Sequence, residues 1–422
     1  MSATPPAKPP AKSSPHPALT SCSRARITAV ASTDHGWAFD GDGQCVRVPQ
    51  QPSGKSYSAK RAAISALPCV ERQGIVWVWS GPLFDGAAPV PSEHDEGPAL
   101  IEPLDRLGVE HSDYSRDLHM DWSTLCENVM DPAHLPFTHH KTISKRDKAS
   151  PISFGALEGF TPQGFAASRA TPGGPGRLTF RAPHLVLAET HRGEDSYSDW
   201  NVVYAVPSEP GRCRLLVRVV FEVSKLPIPL KWILGFAFTK QPIWLSHLTT
   251  HKILEDDNPF LHTQGHVYRN GDPSALAPDF MKRVYLPTTS DGMVVAFRRW
   301  IDAFTGGEGA QWSPHLREMG GWGDGSAVTT APARRSSKAE VLERRDSHVA
   351  HCSACSGALM NARRVKRVAD ACVSIGLLVA GVVMRARTAA LVLAALGFAV
   401  GRGCIRLEEV MHLGMYPPPR NV

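Results

Sequence analysis

The 422-residue chain has no apolar run of the roughly 20 residues that cross a bilayer unaided. Its two long uncharged stretches, Ala371 to Met384 and Thr388 to Gly401, each fall short, with Arg385 and Arg387 between them. Runs of this length usually form buried or interfacial helices. Two of them, close together after a polar linker, have no visible core to bury against. We therefore expect a membrane-associated hairpin whose arginines snorkel to the interface at its turn. Residues 1–33 contain no Asp or Glu, while Lys8, Lys12, Arg24 and Arg26 make them basic. An acid-poor, Ser-rich, basic start fits an organelle transit peptide. It fits a disordered Pro-rich tail equally well. No basic stripe interleaved with aromatics is present, and the net charge of +6 is mild, so nucleic acid is not an expected partner. The nine cysteines are odd in number and scattered, which argues against a secreted disulfide framework and for a reducing compartment.

What is present is ordinary globular material, 42% hydrophobic and 20% charged, enough for about two or three domains. From Asp34 to Trp79 the signals are strands and tight turns. Gly-Asp-Gly at 41–43 separates two apolar runs as in a hairpin, and "GIVWVWSG" reads as a buried strand. Residues 150–225 are again strand-like, with "RCRLLVRVVFEV" half-buried and pairing with a neighbour such as "WNVVYAV". Residues 228–264 read as helical around an early Pro-interrupted part, whereas "GMVVAFRRWIDAF" fits a strand or a helix. A polar, Gly- and Arg-rich linker covers about 305–348.

The chemistry gathers in "ENVMDPAHLPFTHH" at 127–140. Asn128, Asp131 and His134 follow at i, i+3 and can share one helical face. His139 lies five residues on, about 140° around a helix, and Pro136 disfavours an unbroken helix there. The expected arrangement is a helix end carrying His134, then an irregular turn that swings His139 back beside it. Two imidazoles plus one carboxylate on one face of an octahedron, with positions left open, suit non-haem Fe(II). The spacing alone also fits ordinary histidines near a helix end.

The wider sequence resembles the Rieske-type non-haem iron oxygenases. "E-N-x-x-D-x-x-H-x4-H" at 127–139 is similar to their iron motif, and "DHGWAFDGDGQCVRVPQ" at 34–50 to the second half of their Rieske cluster motif. "HCSACSGAL" at 351–359 and the terminal apolar pair resemble one subgroup, that of pheophorbide a oxygenase, an inner-envelope translocon oxygenase and their chloroplast relatives. The resemblance implies an α+β fold. It would comprise a disordered stretch over 1–33, the incomplete remnant of an all-β Rieske domain over 34–105, and a helix-grip catalytic domain over 106–304. A linker over 305–368 and two apolar membrane helices over 369–404 would follow.

The resemblance also implies a third iron ligand in "HKILEDDNPFLHTQ", with Asp257 favoured and Asp256 the fallback. Read alone, Glu255-Asp256-Asp257 is a solvated helix face. His247, His251 and His262 are expected to be structural or pocket-lining. By the same resemblance Asn128 sits close to the iron, while Asp131 orients an imidazole and carries the electron route to the next subunit of a homotrimer.

One part of the pattern is missing. A Rieske [2Fe–2S] centre takes two thiolates and two imidazoles. Here Ser32 stands three before His35, Ser14 stands two before His16, and a serine hydroxyl is a poor substitute for a thiolate. His35 is the one convincing cluster residue and His16 a weaker one. Either the N-terminus is incomplete or the chain lacks the cluster. Cys352-x-x-Cys355 is carried over as a regulatory dithiol; with no second C-x-x-C, a closed zinc site is not expected. The resemblance thus implies an O2- and ferredoxin-dependent oxygenase of a chlorophyll-derived tetrapyrrole, at a chloroplast inner-envelope or thylakoid membrane. Its alternatives are a chlorophyllide a oxygenase-like enzyme and an impaired redox-sensing or import-associated envelope protein.

Overall fold

A computed structural model describes residues 30–31, 35–40, 42–51, 62–64, 69–78, 97–106, 109–171, 174–193, 197–209, 211–223, 226–236, 240–270, 284–304 and 335–417. They divide into two units, one ending at Leu100 and the other beginning at Ile101. In the first, β1 (Val30–Ala31), β2 (Ala38–Phe39) and β3 (Cys45–Arg47) form an antiparallel sheet. The expected hairpin turn joins β2 to β3. Asp40 Oδ1 accepts from the backbone N–H of Asp42 at 3.1 Å and of Gln44 at 2.8 Å, and Gly43 adopts φ +78°. β4 (Cys69–Arg72) and β5 (Ile75–Val78) make a separate two-stranded pair. The run read as a buried strand is instead half-exposed there, with Val76 60% accessible. A hairpin of two strands covers only one face of each.

The second unit is built on one seven-stranded antiparallel sheet. Its strands are β6 (Val109–Leu118), β7 (Glu158–Thr161), β8 (Gly164–Thr171), β9 (Gly174–Arg181), β10 (Leu185–His191), β11 (Ser198–Glu209) and β12 (Arg212–Glu222), in the order β6-β12-β11-β10-β9-β8-β7. The two runs expected to pair do so, Tyr204 opposite Leu216 in β11 and β12. Alternate residues of these strands turn inward onto two helices, α1 (Trp122–Met130) and the later "GMVVAFRRWIDAF" segment. The latter is helical over Gly292–Phe304, which settles its ambiguity. Phe180 sits at the centre, its ring 5.0 Å from Phe297 and 4.9 Å from Trp300. Burying such aromatics stabilises by roughly 1.5–3 kcal/mol each.

Among the described residues three further helices lie between these two, α2 (Leu135–Thr138), α3 (Ile228–Gly235) and the 28-residue α4 (Ile243–Asn270), which makes the Gly292–Phe304 helix α5. Within the stretch expected as a linker, the described residues from 335 onward carry helical elements. A short α6 (Lys338–Val341), capped by Ser337 and Glu340, leads into a π-helical turn at Arg345–Val349. α7 (Ser353–Val382) and α8 (Arg387–His412) then form an antiparallel pair longer than the expected 369–404. Gly376 and Gly397 permit close approach. A Cβ on either would come within 2.6 or 2.7 Å of a carbonyl on the facing helix. Met384–His412 is long and apolar enough to cross a membrane, and the pair leaves Leu378, Val382, Leu396 and Phe398 exposed.

Candidate metal centre

The opening motif does not form one helix. α1 ends at Met130, and Asp131 takes φ −101° and ψ 86°, outside the helical region, because Pro132 disfavours that region for the residue before it. A 3₁₀ turn, Pro132–His134, follows, then α2. His139 closes α2, and its ring returns to 5.3 Å from that of His134. Asn128, Asp131 and His134 therefore do not share a continuous helical face, although the two imidazoles meet as expected.

The chain brings a third group to them from α4. Donor atoms of His134, His139 and Asp257 all lie within 4.8 Å of one another. The acidic run is not a solvated face: Glu255, Asp256 and Asp257 are 2%, 2% and 5% exposed. Each does something different. Asp257 Oδ2 lies 3.1 Å from His139 Nε2 and accepts from Asn128 Nδ2 at 3.4 Å. Asp256 Oδ2 lies 3.3 Å from the other ring nitrogen, Nδ1 of His139, and accepts from Thr142 Oγ1 at 3.1 Å. Asp256 thus orients the imidazole and Asp257 faces its metal-ready nitrogen. Glu255 belongs to a different network, bonded to Arg116 and Arg344.

Asp131 orients His134 through its backbone. The carbonyl oxygen of Asp131 accepts from His134 Nδ1–H, while its carboxylate caps the 3₁₀ turn by accepting from Ala133 N at 2.9 Å. Burial raises the Asp131 carboxyl above its usual range, opposed by the neighbouring His134 and the Ala133 amide.

Burial by itself would lower the His139 pKa. The hydrogen bonds and charges of Asp256 and Asp257 outweigh it and lift the ring to about 9. An imidazole with an acid at each nitrogen holds two protons unless another cation replaces one. Among the described residues nothing donates a hydrogen bond to the buried Asp257 Oδ1. A buried anion with an unmet oxygen, beside two imidazoles, fits a divalent cation better than water or a proton.

Among the other sequence-singled histidines, His262 is structural: Nδ1 donates to the His119 carbonyl at 2.6 Å and Nε2 accepts from Ser336 N at 3.2 Å. His251 Nδ1 lies 2.8 Å from the Tyr114 hydroxyl, and burial beside Arg116 and Arg344 keeps its ring neutral. His247 instead meets Cys352 and Cys355, at 3.5 Å from each sulfur. His35 is exposed at the turn before β2, its carbonyl accepting from Gln50 at 2.7 Å. His16 lies outside the described residues. With serine at 14 and 32, the residues in hand do not make up the two-thiolate, two-imidazole set of a [2Fe–2S] cluster.

Residues 180–274, which begin in β9, take in all of α4 and include Asp257, match the pheophorbide a oxygenase family model. Pheophorbide a oxygenase of Oryza sativa is 28% identical over 342 residues, covering 77% of this chain and 60% of that protein. Protein TIC 55 of Arabidopsis thaliana is 31% identical over 278 residues, covering 64% and 47%. The solved structure of NdmB from Pseudomonas putida CBB5 aligns at 21% identity over 68% of this chain and 75% of that one, with a TM-score of 0.46. The chain thus spans about half to three-fifths of the length of these plant proteins. In sequence it is a relative of the pheophorbide a oxygenases and of TIC 55, with residues 180–274 matching the pheophorbide a oxygenase family.

Proposed function

We propose that the chain is a mononuclear-iron oxygenase of the pheophorbide a oxygenase type, with Fe(II) held by His134, His139 and Asp257. The observation that carries this reading is the triad itself, two of its three residues buried, with an Asp257 oxygen to which no described residue hydrogen-bonds. When bound, the iron would supply reductive activation of O2. The chain's own residues do the rest. Asp256 and the Asp131 carbonyl fix the two ring orientations, so that each imidazole turns its other nitrogen toward the metal position. Asn128 holds Asp257 in place. His139 gives up its second proton when metal binds, since a ligating imidazole must be neutral on that side.

The substrate proposed is a chlorophyll-derived tetrapyrrole, after the relatives' names, with ferredoxin as electron donor. A homotrimer in a chloroplast membrane, inner envelope or thylakoid, completes the reading. The apolar face of α7 and α8 supports membrane association, since such a face has no place in water. The helix-grip description of the catalytic unit and the incomplete Rieske unit before it are part of this same proposal, with the division at 101 and the helix pair starting at 353 rather than at the expected 106 and 369. Serine at positions 14 and 32 leaves one other reading for the assay to test, a redox-sensing envelope protein without electron supply. The deciding assay is O2-dependent consumption of pheophorbide a by the full chain with reduced ferredoxin. Turnover that stops in Asp257→Ala supports the oxygenase; no turnover despite a filled iron site supports the alternative.

A further inference from the structure

A second constellation of metal-ligating groups lies away from the triad, and the oxygenase chemistry makes no use of it. Nδ1 of His247, Nε2 of His348 and the sulfurs of Cys352 and Cys355 all lie within 4.8 Å of one another. The nitrogens are 3.0 Å apart. Cys355 Sγ is 3.5 Å from His247 Nδ1 and 3.4 Å from His348 Nε2, and Cys352 Sγ is 3.5 Å from His247 Nδ1. Three of the four residues are buried and Cys352 is half-buried. Neither cysteine is in a disulfide.

The hydrogen bonds at the far side of each ring decide what stands at the centre. His247 Nε2 lies 2.9 Å from the carbonyl oxygen of Asp113, and His348 Nδ1 lies 2.5 Å from that of Ser115. A carbonyl can only accept, so both of those ring nitrogens carry the proton. Neutral rings then present lone pairs at His247 Nδ1 and His348 Nε2, facing each other across 3.0 Å. Two acceptors at that separation repel unless a cation lies between them. The two carbonyls belong to alternate residues of β6, the edge strand, and so point the same way, off the open side of the sheet. Tyr114, between them in sequence, stacks on His348 at 4.6 Å and meets His247 edge-on at 5.2 Å, which fixes both ring planes.

We propose that His247, His348, Cys352 and Cys355 form a closed tetrahedral site for one divalent zinc ion. Zinc bonds of about 2.0–2.1 Å to nitrogen and 2.3 Å to sulfur set tetrahedral donors roughly 3.3–3.8 Å apart, close to the separations found here. Binding displaces the two thiol protons to solvent. The ion and two thiolates then leave no net charge in a buried place. All four positions are filled by protein, so the ion is structural. It pins α4, the π-helical turn and the start of α7 to the edge of the sheet, and so anchors the apolar helix pair to the unit that carries the triad. The C-x-x-C pair contributes half of a closed site, and its missing partners are two histidines from separate segments. The inference does not depend on the oxygenase reading.

The test uses the full chain in detergent, purified reduced and without chelator. Metal analysis is expected to find one zinc per chain, and X-ray absorption at the zinc edge two sulfur and two nitrogen neighbours. The Cys352→Ala/Cys355→Ala double variant is expected to lose that zinc while keeping its secondary structure by circular dichroism. Should the double variant not fold, a thiol-specific mercurial titrated into the unaltered chain is expected to release one zinc as two thiols are consumed. Three results would overturn the proposal: folded protein that neither holds zinc nor takes up Co(II) with thiolate-to-metal absorption, zinc that survives the double substitution or the mercurial, or a metal-free Cys352–Cys355 disulfide in the freshly isolated chain.

Discussion

Replacing Glu255 by Ala is expected to be among the most destabilising single changes in the chain. Its carboxylate, 2% exposed, accepts from Arg116 Nη1 at 3.1 Å and from Arg344 Nε at 2.6 Å, with a second bond to Arg344 Nη2. Arg116 and Arg344 are themselves buried, and Arg344 also donates to the Val410 carbonyl on α8. One carboxylate thus joins an edge strand, α4 and the turn leading into the helix pair. Removing it leaves two guanidinium charges in a dry interior beside a neutral His251. Breaking a buried pair in this way costs about 3–5 kcal/mol, a large part of the roughly 5–15 kcal/mol of a whole domain. Chemical denaturation of the full chain in detergent, comparing midpoints at unchanged slope, measures the loss. Arg363→Ala is the control: its ion pair with Glu408 is solvent-exposed and is worth about 0–1 kcal/mol. A Glu255→Ala loss no larger than that of Arg363→Ala would refute the reasoning.

Gly414→Ala tests the same network from another side. A Cβ there would stand 2.2 Å from the Glu255 carboxyl carbon, so the variant is expected to lower the denaturation midpoint even though only a methyl is added. Asp256→Asn keeps the shape beside His139 but removes the charge that orients it. Iron affinity measured by competition with a chelator is expected to fall about 10–100-fold, with the fold intact by circular dichroism. Asp113 gives a pH signature. Burial opposes its charge, but hydrogen bonds from His111 and Arg218 outweigh that and bring its carboxyl from 3.8 down to about 2. A depressed carboxyl stabilises the fold fully above the unfolded value and ceases to as pH falls through the folded one. The stability gap between the unaltered chain and Asp113→Asn is therefore expected to hold at neutral pH and close between pH 4 and 2.

Much of the sheet was legible because period-2 alternation in "RCRLLVRVVFEV" and "WNVVYAV" is a local signal. "GMVVAFRRWIDAF" was ambiguous because a run of that length suits either element. The resolving signal was one step upstream, where Thr288 and Asp291 form a capping box on the 3₁₀ turn Thr289–Asp291 that runs into the helix. His134 and His139 could be brought together from spacing and Pro136 alone. Their acid could not, because Asp257 reaches them only through the packing of α4 against α1, which no local pattern encodes. Composition misread Glu255 to Asp257 for the same reason, as three adjacent acids look solvated until their separate partners are known. The zinc constellation was hidden by distance, His247 and His348 being 101 residues apart. Even so, His348-x3-Cys352-x2-Cys355 places three donors within one turn and the start of a helix, and that spacing was readable.

The central claim is that two imidazoles and Asp257 hold one ferrous ion. Iron content of the purified full chain, with the nitric oxide adduct read by electron paramagnetic resonance, tests it most directly. The account predicts one mononuclear iron per chain, abolished in His134→Ala and in Asp257→Ala and unchanged in the half-buried neighbour His140→Ala. Full iron occupancy in the first two variants, with the same resonance signal, would contradict it.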